Sequence, residues 1–190
     1  MTSFLAVIGA VTPPGRLHTA VATAAETAAV RPDVRASVLN LADHRVSFAD
    51  GRPLDRFTDD TATVVARVAE ADVVLLASPV YRATFTGALK NLLDLVPVEG
   101  LRDKPVGIVA MGATTHHYLG VDWQLRAVLA WFGAVVAPTS VYLESAHFQE
   151  GRLADDGARR ALVELVNTLL ALRTGVKGPL GPPPLSAGRA

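Results

Sequence analysis

The sequence contains no cysteine. Disulfide bonds, cysteine-ligated zinc, iron–sulfur clusters and a thiol nucleophile are therefore excluded. An excess of charge of either sign is also missing, because 18 basic and 18 acidic residues leave a formal net charge of zero, without a basic run. Since nucleic-acid binding depends on neutralising phosphates, this charge balance argues against a nucleic-acid partner.

Long hydrophobic runs are absent as well. No apolar run approaches the roughly 20 residues that a transmembrane helix requires, and no basic-then-apolar signal opens the chain. We therefore expect a cytoplasmic protein without a membrane partner. Of its 190 residues, 50% are hydrophobic and only 19% are charged, which is typical of a globular chain rather than a disordered one. The length fits one domain.

The most informative stretch begins with an apolar run at residues 73–77. The run is rich in β-branched and aliphatic residues and too short for a buried helix, which is typical of a strand covered on both faces of a parallel sheet. Pro79 ends the strand because proline has no N–H for the ladder. Leucines at helical spacing follow. In open α/β sheets, ligands bind at the carboxyl end of the strands, where this loop lies.

The same alternation recurs along the chain. We predict strands at residues 4–8, 34–40, 73–77, 105–111 and 135–143, the last interrupted by Pro138. A helix follows each strand; the second helix has Thr58 as its N-cap, and the fourth covers residues 118–132. This pattern predicts an α/β flavodoxin-like fold, a five-stranded doubly wound parallel sheet of order 2-1-3-4-5 with helices on both faces. Residues 1–174 form the domain, and the Gly- and Pro-rich tail, 175–190, is predicted to be disordered.

Three loops, at residues 9–16, 78–86 and 112–117, leave the same edge of this sheet. The segment 78–90 reads Ser-Pro-Val-Tyr-Arg-Ala-Thr-Phe-Thr-Gly-Ala-Leu-Lys. It resembles the flavin-contacting segment of the NAD(P)H-dependent FMN reductases, most closely the branch that supplies reduced flavin to sulfonate monooxygenases. The similarity spans about residues 4–170 and is strongest over residues 72–133.

The resemblance implies that FMN and NADPH or NADH are bound, with the central loop along the flavin. The contacts implied in this loop are Pro79, Val80, Tyr81 and Arg82. The backbone N–H groups of Tyr81 and Arg82 are expected to reach the ring. Thr84 or Thr86 is expected to cap the helix that follows.

The first loop is expected to hold the FMN phosphate at a helix N-terminus. Gly9 and Arg16 match the family pattern. Three serine positions of that pattern carry other residues here: Ala10, Gly15 and Leu17. Arg16 can still bind a phosphate bidentately, backbone N–H groups remain around Gly15, and His18 or Thr19 can replace a hydroxyl. We expect weaker FMN affinity, or a flavin that exchanges as a substrate. The alternative is that the Pro-Pro-Gly segment of this loop is an ordinary turn without a binding role.

The third loop also resembles this branch, in which a Gly-rich turn lies against the flavin edge. The contacts implied here are Gly112, Ala113, Thr114 and Thr115. His116 and His117 follow, but adjacent loop side chains rarely converge on one ion, so we predict no metal site. A contact to the nicotinamide nucleotide's phosphate and a simple cap of the next helix both remain open for these histidines.

The function hypothesis is an NAD(P)H:FMN oxidoreductase. Hydride passes from nicotinamide to flavin N5, so the protein mainly positions two rings and no catalytic side chain is required. The resemblance implies a separate FMNH2-dependent monooxygenase as partner. It also implies a homodimer or homotetramer, because in related reductases the helix that carries Trp123 packs against a second subunit. Two alternatives remain: a quinone or azo reductase with permanently bound FMN, and a non-catalytic flavodoxin-like interaction subunit.

Overall fold

The computed structural model describes residues 1–177 and 179–181. The strands are β1 (Thr2–Ile8), β2 (Val34–Asn40), β3 (Val73–Pro79), β4 (Pro105–Gly112), β5 (Val135–Val136), β6 (Val141–Glu144), β7 (Phe148–Gln149) and β8 (Arg152–Leu153). The α-helices are α1 (Arg16–Ala29), α2 (Thr61–Glu70), α3 (Gly87–Leu95), α4 (Gly120–Trp131) and α5 (Asp156–Gly175). Most of the predicted disordered tail, residue 178 and residues 182–190, lies outside the described residues.

The main sheet is parallel, with strand order β2-β1-β3-β4-β5. Strand β6 continues the outer edge, because it pairs with the carboxyl half of β4 while β5 pairs with the amino half. The interruption predicted at Pro138 therefore separates two short strands along one edge. The predicted fold class is confirmed, including the strand order and the helix after each strand.

Alternate residues of the central strands face opposite layers of helices. In β1, Phe4, Ala6 and Ile8 pack in the core that includes α1 and α5. Leu5 and Val7 pack in the second core, with residues of α2, α3 and α4. Since both faces are covered, β1 and β3 read as continuous apolar runs, whereas the edge strand β2 does not.

Two local predictions were wrong, and one small element was not predicted. Helix α2 has Asp60 as its N-cap rather than Thr58. The neighbouring Asp59 carboxylate accepts hydrogen bonds from the Ser47 hydroxyl and the Thr61 N–H, which lower its pKa to about 2. Helix α4 begins at Gly120, because residues 115–117 form a separate 3-10 turn. The β7–β8 hairpin was not predicted, since strands of two residues leave no periodic pattern.

Within the part of the chain that the structure describes, we find no helix with the length and apolar character needed to traverse a lipid bilayer.

Candidate functional site

The first and second loops are joined at the carboxyl edge of the sheet by buried hydrogen bonds. The Gly9 N–H donates to the Ala77 carbonyl at 2.7 Å, and the Thr86 hydroxyl donates to the Gly9 carbonyl. The Thr86 N–H donates to the Ser78 hydroxyl at 3.0 Å. The same Thr86 hydroxyl accepts the Leu89 N–H at 3.1 Å, so Thr86, and not Thr84, caps α3. This network fixes where both loops leave the sheet.

A cleft of about 160 Å³ lies at the N-terminus of α1. Its walls include Gly15, Arg16 and His18 from the first loop and helix, with Pro79 and Met111 from the ends of β3 and β4. Predicted residues from two loops are therefore brought to one cleft. Thr19 is not part of its lining. Because the positive end of the helix dipole is at the α1 N-terminus, the cleft favours an anion.

His18 supplies a donor to this region. Its Nδ1 accepts the Gly15 N–H at 3.1 Å, which assigns the ring proton to Nε2. The Nε2 atom is buried and has no hydrogen-bond partner among the described residues. A buried donor without an acceptor is costly, so it indicates a place that an acceptor would fill. The residues present therefore fit an anionic group such as the FMN phosphate.

Arg16 lines the cleft and is exposed. Its Nη1 donates to the Ser145 hydroxyl at 3.0 Å. Ser145 directly follows β6 and is 129 positions away in the chain. Sequence reasoning missed Ser145, because a lone serine after a short edge strand carries no motif.

The central loop forms a tight turn over residues 81–84. Tyr81 N–H donates to the Thr84 carbonyl at 2.8 Å, and Thr84 N–H donates back to the Tyr81 carbonyl at 3.1 Å. The prediction that the Tyr81 N–H reaches the flavin was therefore wrong, since this donor is used within the turn. The Arg82 N–H lies outside this hydrogen-bonded pair and stays a predicted ring donor. Val80 N–H donates to the Met111 carbonyl at 2.8 Å and ties the loop to β4.

The two central residues of this turn are strained. Arg82 and Ala83 have φ angles of 50° and 64°, a conformation that hairpin turns usually assign to Asn-Gly. Each such non-glycine residue costs on the order of 1–2 kcal/mol. Helix α4 holds the turn in place, because Gln124 Nε2 donates to the Ala83 carbonyl at 3.2 Å. Gly120 lies so close that a Cβ there would be 2.5 Å from the same oxygen.

The third loop is held from β6. The Tyr142 hydroxyl donates to the Thr114 carbonyl at 2.5 Å. A Cβ on Gly112 would lie 1.8 Å from the Tyr142 oxygen, so this position requires glycine. The Tyr142 ring meets the Tyr118 ring edge to face, with centroids 6.4 Å apart. Burial raises the pKa of Tyr142, and the nearby Glu144 charge raises it further, so the phenol remains a donor.

The remaining predicted residues of the third loop, Ala113 and Thr115, are exposed. His116 Nδ1 lies 3.4 Å from the Thr114 hydroxyl. Across the described ranges 1–177 and 179–181, no three His, Cys, Asp or Glu side chains are grouped as a metal site requires. The individual contacts of these loops with a flavin stay predictions.

Residues 2–148 match the family model described as NADPH-dependent FMN reductase. The chain belongs to this family. It is 37% identical over 153 residues to an NAD(P)H-dependent FAD/FMN reductase of Geobacillus thermodenitrificans, covering 80% of this chain and 83% of that protein. It is 31% identical over 172 residues to the NADH-dependent FMN reductase SfnF of Pseudomonas putida, covering 87% of this chain and 89% of the relative.

The fold agrees with this assignment. The crystal structure of the NADH:FMN oxidoreductase EMOB in its apo form superposes with a TM-score of 0.74 at 23% identity, covering 100% of this chain and 97% of that one. The predicted enzyme class is confirmed: the protein is an NAD(P)H-dependent FMN reductase by family. The predicted cofactors, FMN and NAD(P)H, are likewise confirmed by the family to which the chain belongs. In this reductase, residues near the site that sequence reasoning did not find include Met111, Gln124, Tyr142 and Ser145.

Proposed function

We propose that this reductase transfers hydride from NAD(P)H to flavin N5 and releases reduced FMN to a partner monooxygenase. The observation that carries the proposal is the buried His18 Nε2 donor, which lacks an acceptor beside Arg16 at the N-terminus of α1. An imidazole N–H, a guanidinium and a helix N-terminus together suit a phosphate. FMN at this edge supplies the two-electron acceptor chemistry, while the protein supplies binding and orientation.

The exposure of the site supports exchange of the flavin. Arg16 is exposed, and so are residues 113–117 of the third loop. The first loop offers no serine hydroxyl at Ala10, Gly15 or Leu17. A first loop that offers the phosphate an exposed arginine and one histidine releases it more readily than a loop that encloses it with several hydroxyls. Reduced FMN that leaves the reductase requires a second protein to consume it, which supports the proposed FMNH2-dependent monooxygenase partner.

The activity is tested by following NADH and NADPH oxidation at 340 nm while FMN is titrated. We expect turnover that requires added FMN and saturates with it, from protein that purifies without colour. Yellow protein that reduces quinones or azo dyes without added FMN would favour the alternative with permanently bound flavin. Folded protein that turns over neither NADH nor NADPH would contradict the proposal. That result would favour the alternative of a non-catalytic interaction subunit.

Replacing Arg16 with Ala is expected to raise the FMN dissociation constant about 10- to 100-fold. The reason is the loss of a charge-assisted phosphate contact, which contributes roughly 1.5–3 kcal/mol. Riboflavin, which lacks the phosphate, should bind as before. Quenching of flavin fluorescence measures both constants. Arg35, at the amino end of the β2–β1 pair, is the control position, and Arg35→Ala should change neither constant. Equal losses for the two flavins would place Arg16 away from the phosphate.

We also propose that the reductase is a homodimer or homotetramer built on α4. Leu119, Trp123, Ala127 and Trp131 recur at every fourth position and are all exposed. The exposed fraction is 76% for Trp123 and 54% for Trp131. An exposed apolar stripe that carries two tryptophans is typical of a surface that a second subunit covers.

Replacing Trp123 with Glu is expected to convert the oligomer to monomers, because an unpaired charge would be buried in the interface. Light scattering after size-exclusion chromatography measures the mass. Val30→Glu is the control, since Val30 is an isolated apolar side chain at the end of α1 with an exposed fraction of 83%. A wild-type protein that is already monomeric, or a Trp123→Glu variant of unchanged mass, would contradict this assembly.

The domain assignment also remains a proposal: one reductase domain over residues 1–174. It is supported by the packing of α5 residues such as Leu162 and Leu169 into the same core as α1. We also propose that the reductase is cytoplasmic.

A further inference from the structure

The carboxyl end of β6 contacts two of the three loops on which the proposed FMN site depends, the first and the third. Tyr142, within β6, donates its hydroxyl to the Thr114 carbonyl of the third loop at 2.5 Å. The hydroxyl of Ser145, which directly follows β6, accepts a hydrogen bond from the Arg16 guanidinium of α1 at 3.0 Å. The segment from Tyr142 to Ser145 thus connects the two sides of the site.

The alternation of the strand explains how one short segment serves two loops. Side chains of successive strand residues point to opposite faces of a sheet, so positions three apart face opposite layers. Val141 and Leu143 pack in the core shared with α1 and α5, whereas Tyr142 packs against the core shared with α4. Ser145, the first residue of the 3-10 turn that follows β6, meets Arg16 of α1. The two positions are separated by about 10 Å along an extended chain.

Ser145 supplies what the first loop lacks. A serine hydroxyl has one donor and two acceptor positions, and Arg16 Nη1 uses one acceptor position. The Ser145 O–H therefore remains available beside the guanidinium, as a neutral donor next to a charged one. The Ser145 hydroxyl, which comes from the end of the edge strand β6, thus takes the place of a missing serine hydroxyl in the first loop.

Tyr142 acts on the ring side of the site. Its oxygen lies where a Cβ on Gly112 would be, so the loop can approach β6 only because residue 112 is glycine. The hydroxyl then fixes the Thr114 carbonyl, and the Tyr118 ring packs across the Tyr142 ring. These contacts set the path of the backbone from Gly112 to Thr115, which is the segment expected to meet the flavin edge.

We infer that Ser145 is a phosphate-binding residue of the FMN site and that Tyr142 is a positioning residue for its ring-contacting loop. The inference rests on the proposed function and adds a fourth element, the end of β6, to the three loops. It also separates the two roles: Ser145 determines selectivity for FMN over riboflavin, whereas Tyr142 affects both flavins alike.

The test compares dissociation constants for FMN and riboflavin, measured by quenching of flavin fluorescence in full-length protein. Ser145→Ala is expected to weaken FMN binding about 10-fold, the loss typical of one hydrogen bond to a charged group, and to leave riboflavin unchanged. Ser145→Thr keeps the hydroxyl and should retain FMN affinity. Ser140→Ala is the matched control, because Ser140 precedes β6 at its opposite end and should change neither constant.

Tyr142→Phe is expected to raise the dissociation constants of FMN and riboflavin by the same factor, about three- to ten-fold. The ratio of the two constants should therefore not change. Hydrogen exchange at residues 113–116 should become faster, since the Thr114 carbonyl loses its donor. An unchanged FMN-to-riboflavin ratio in Ser145→Ala, or unchanged constants and exchange in Tyr142→Phe, would overturn the corresponding assignment while the reductase activity stands. Wild-type protein that binds no FMN would instead overturn the proposed function and this inference together.

Discussion

Replacing Thr86 with Val is expected to lower the free energy of unfolding by about 2–4 kcal/mol. The buried Thr86 hydroxyl donates to the Gly9 carbonyl and accepts the Leu89 N–H, so valine removes both contacts while keeping the shape. Loss of an N-cap costs about 1 kcal/mol, and a buried carbonyl left without its donor costs about 1–3 kcal/mol more. Because Gly9 begins the phosphate-side loop, FMN affinity should fall as well.

Urea denaturation followed by circular dichroism measures this change. Thr86→Ser keeps the hydroxyl and should lose less than about 1 kcal/mol. Thr84→Val is the matched control, because the turn uses the backbone of Thr84 and not its side chain. If Thr86→Val and Thr84→Val were equally stable, the hydroxyl network would not be what joins the first two loops.

Replacing Gly112 with Ala is expected to weaken FMN binding at least about 10-fold while leaving the protein folded. The added Cβ would lie 1.8 Å from the Tyr142 oxygen and 2.8 Å from the ring carbon that carries it. Neither atom can give way easily, since the Tyr142 hydroxyl is bonded to the Thr114 carbonyl. The third loop must therefore move away from β6, and overpacking of this kind costs about 1–3 kcal/mol.

Flavin-fluorescence titration of Gly112→Ala measures the loss, and Gly175→Ala is the control, because a Cβ on Gly175 meets nothing within 4 Å. In the double variant with Tyr142→Ala, the loss should be smaller than the sum of the two single losses, since both substitutions act on one contact. Strictly additive losses, or a Gly112→Ala variant with normal FMN affinity, would show that Tyr142 does not set the position of this loop.

Much of the candidate site was predictable because it follows local patterns. Gly9 and Arg16 sit where a first strand turns into a first helix, and the central loop carries a continuous resemblance to one family. The strand residues 73–77 were predicted because burial on both faces gives an uninterrupted apolar run. Local patterns did not determine which acceptor each backbone N–H group of the loops would bind. Tyr81 illustrates this, because its N–H was expected at the flavin and is instead used within a hairpin turn.

The sequence by itself determined the order of strands and helices, the edge at which the loops gather and the family. These follow from hydrophobic periodicity and short motifs, which depend on neighbouring residues. Only the tertiary structure decided that Ser145 meets Arg16, that Tyr142 lies over Gly112 and that Thr86 joins Gly9. Each of these pairs links segments separated by at least 30 positions. Their meeting is set by the order and register of the parallel strands, because parallel pairing brings distant carboxyl ends to one edge.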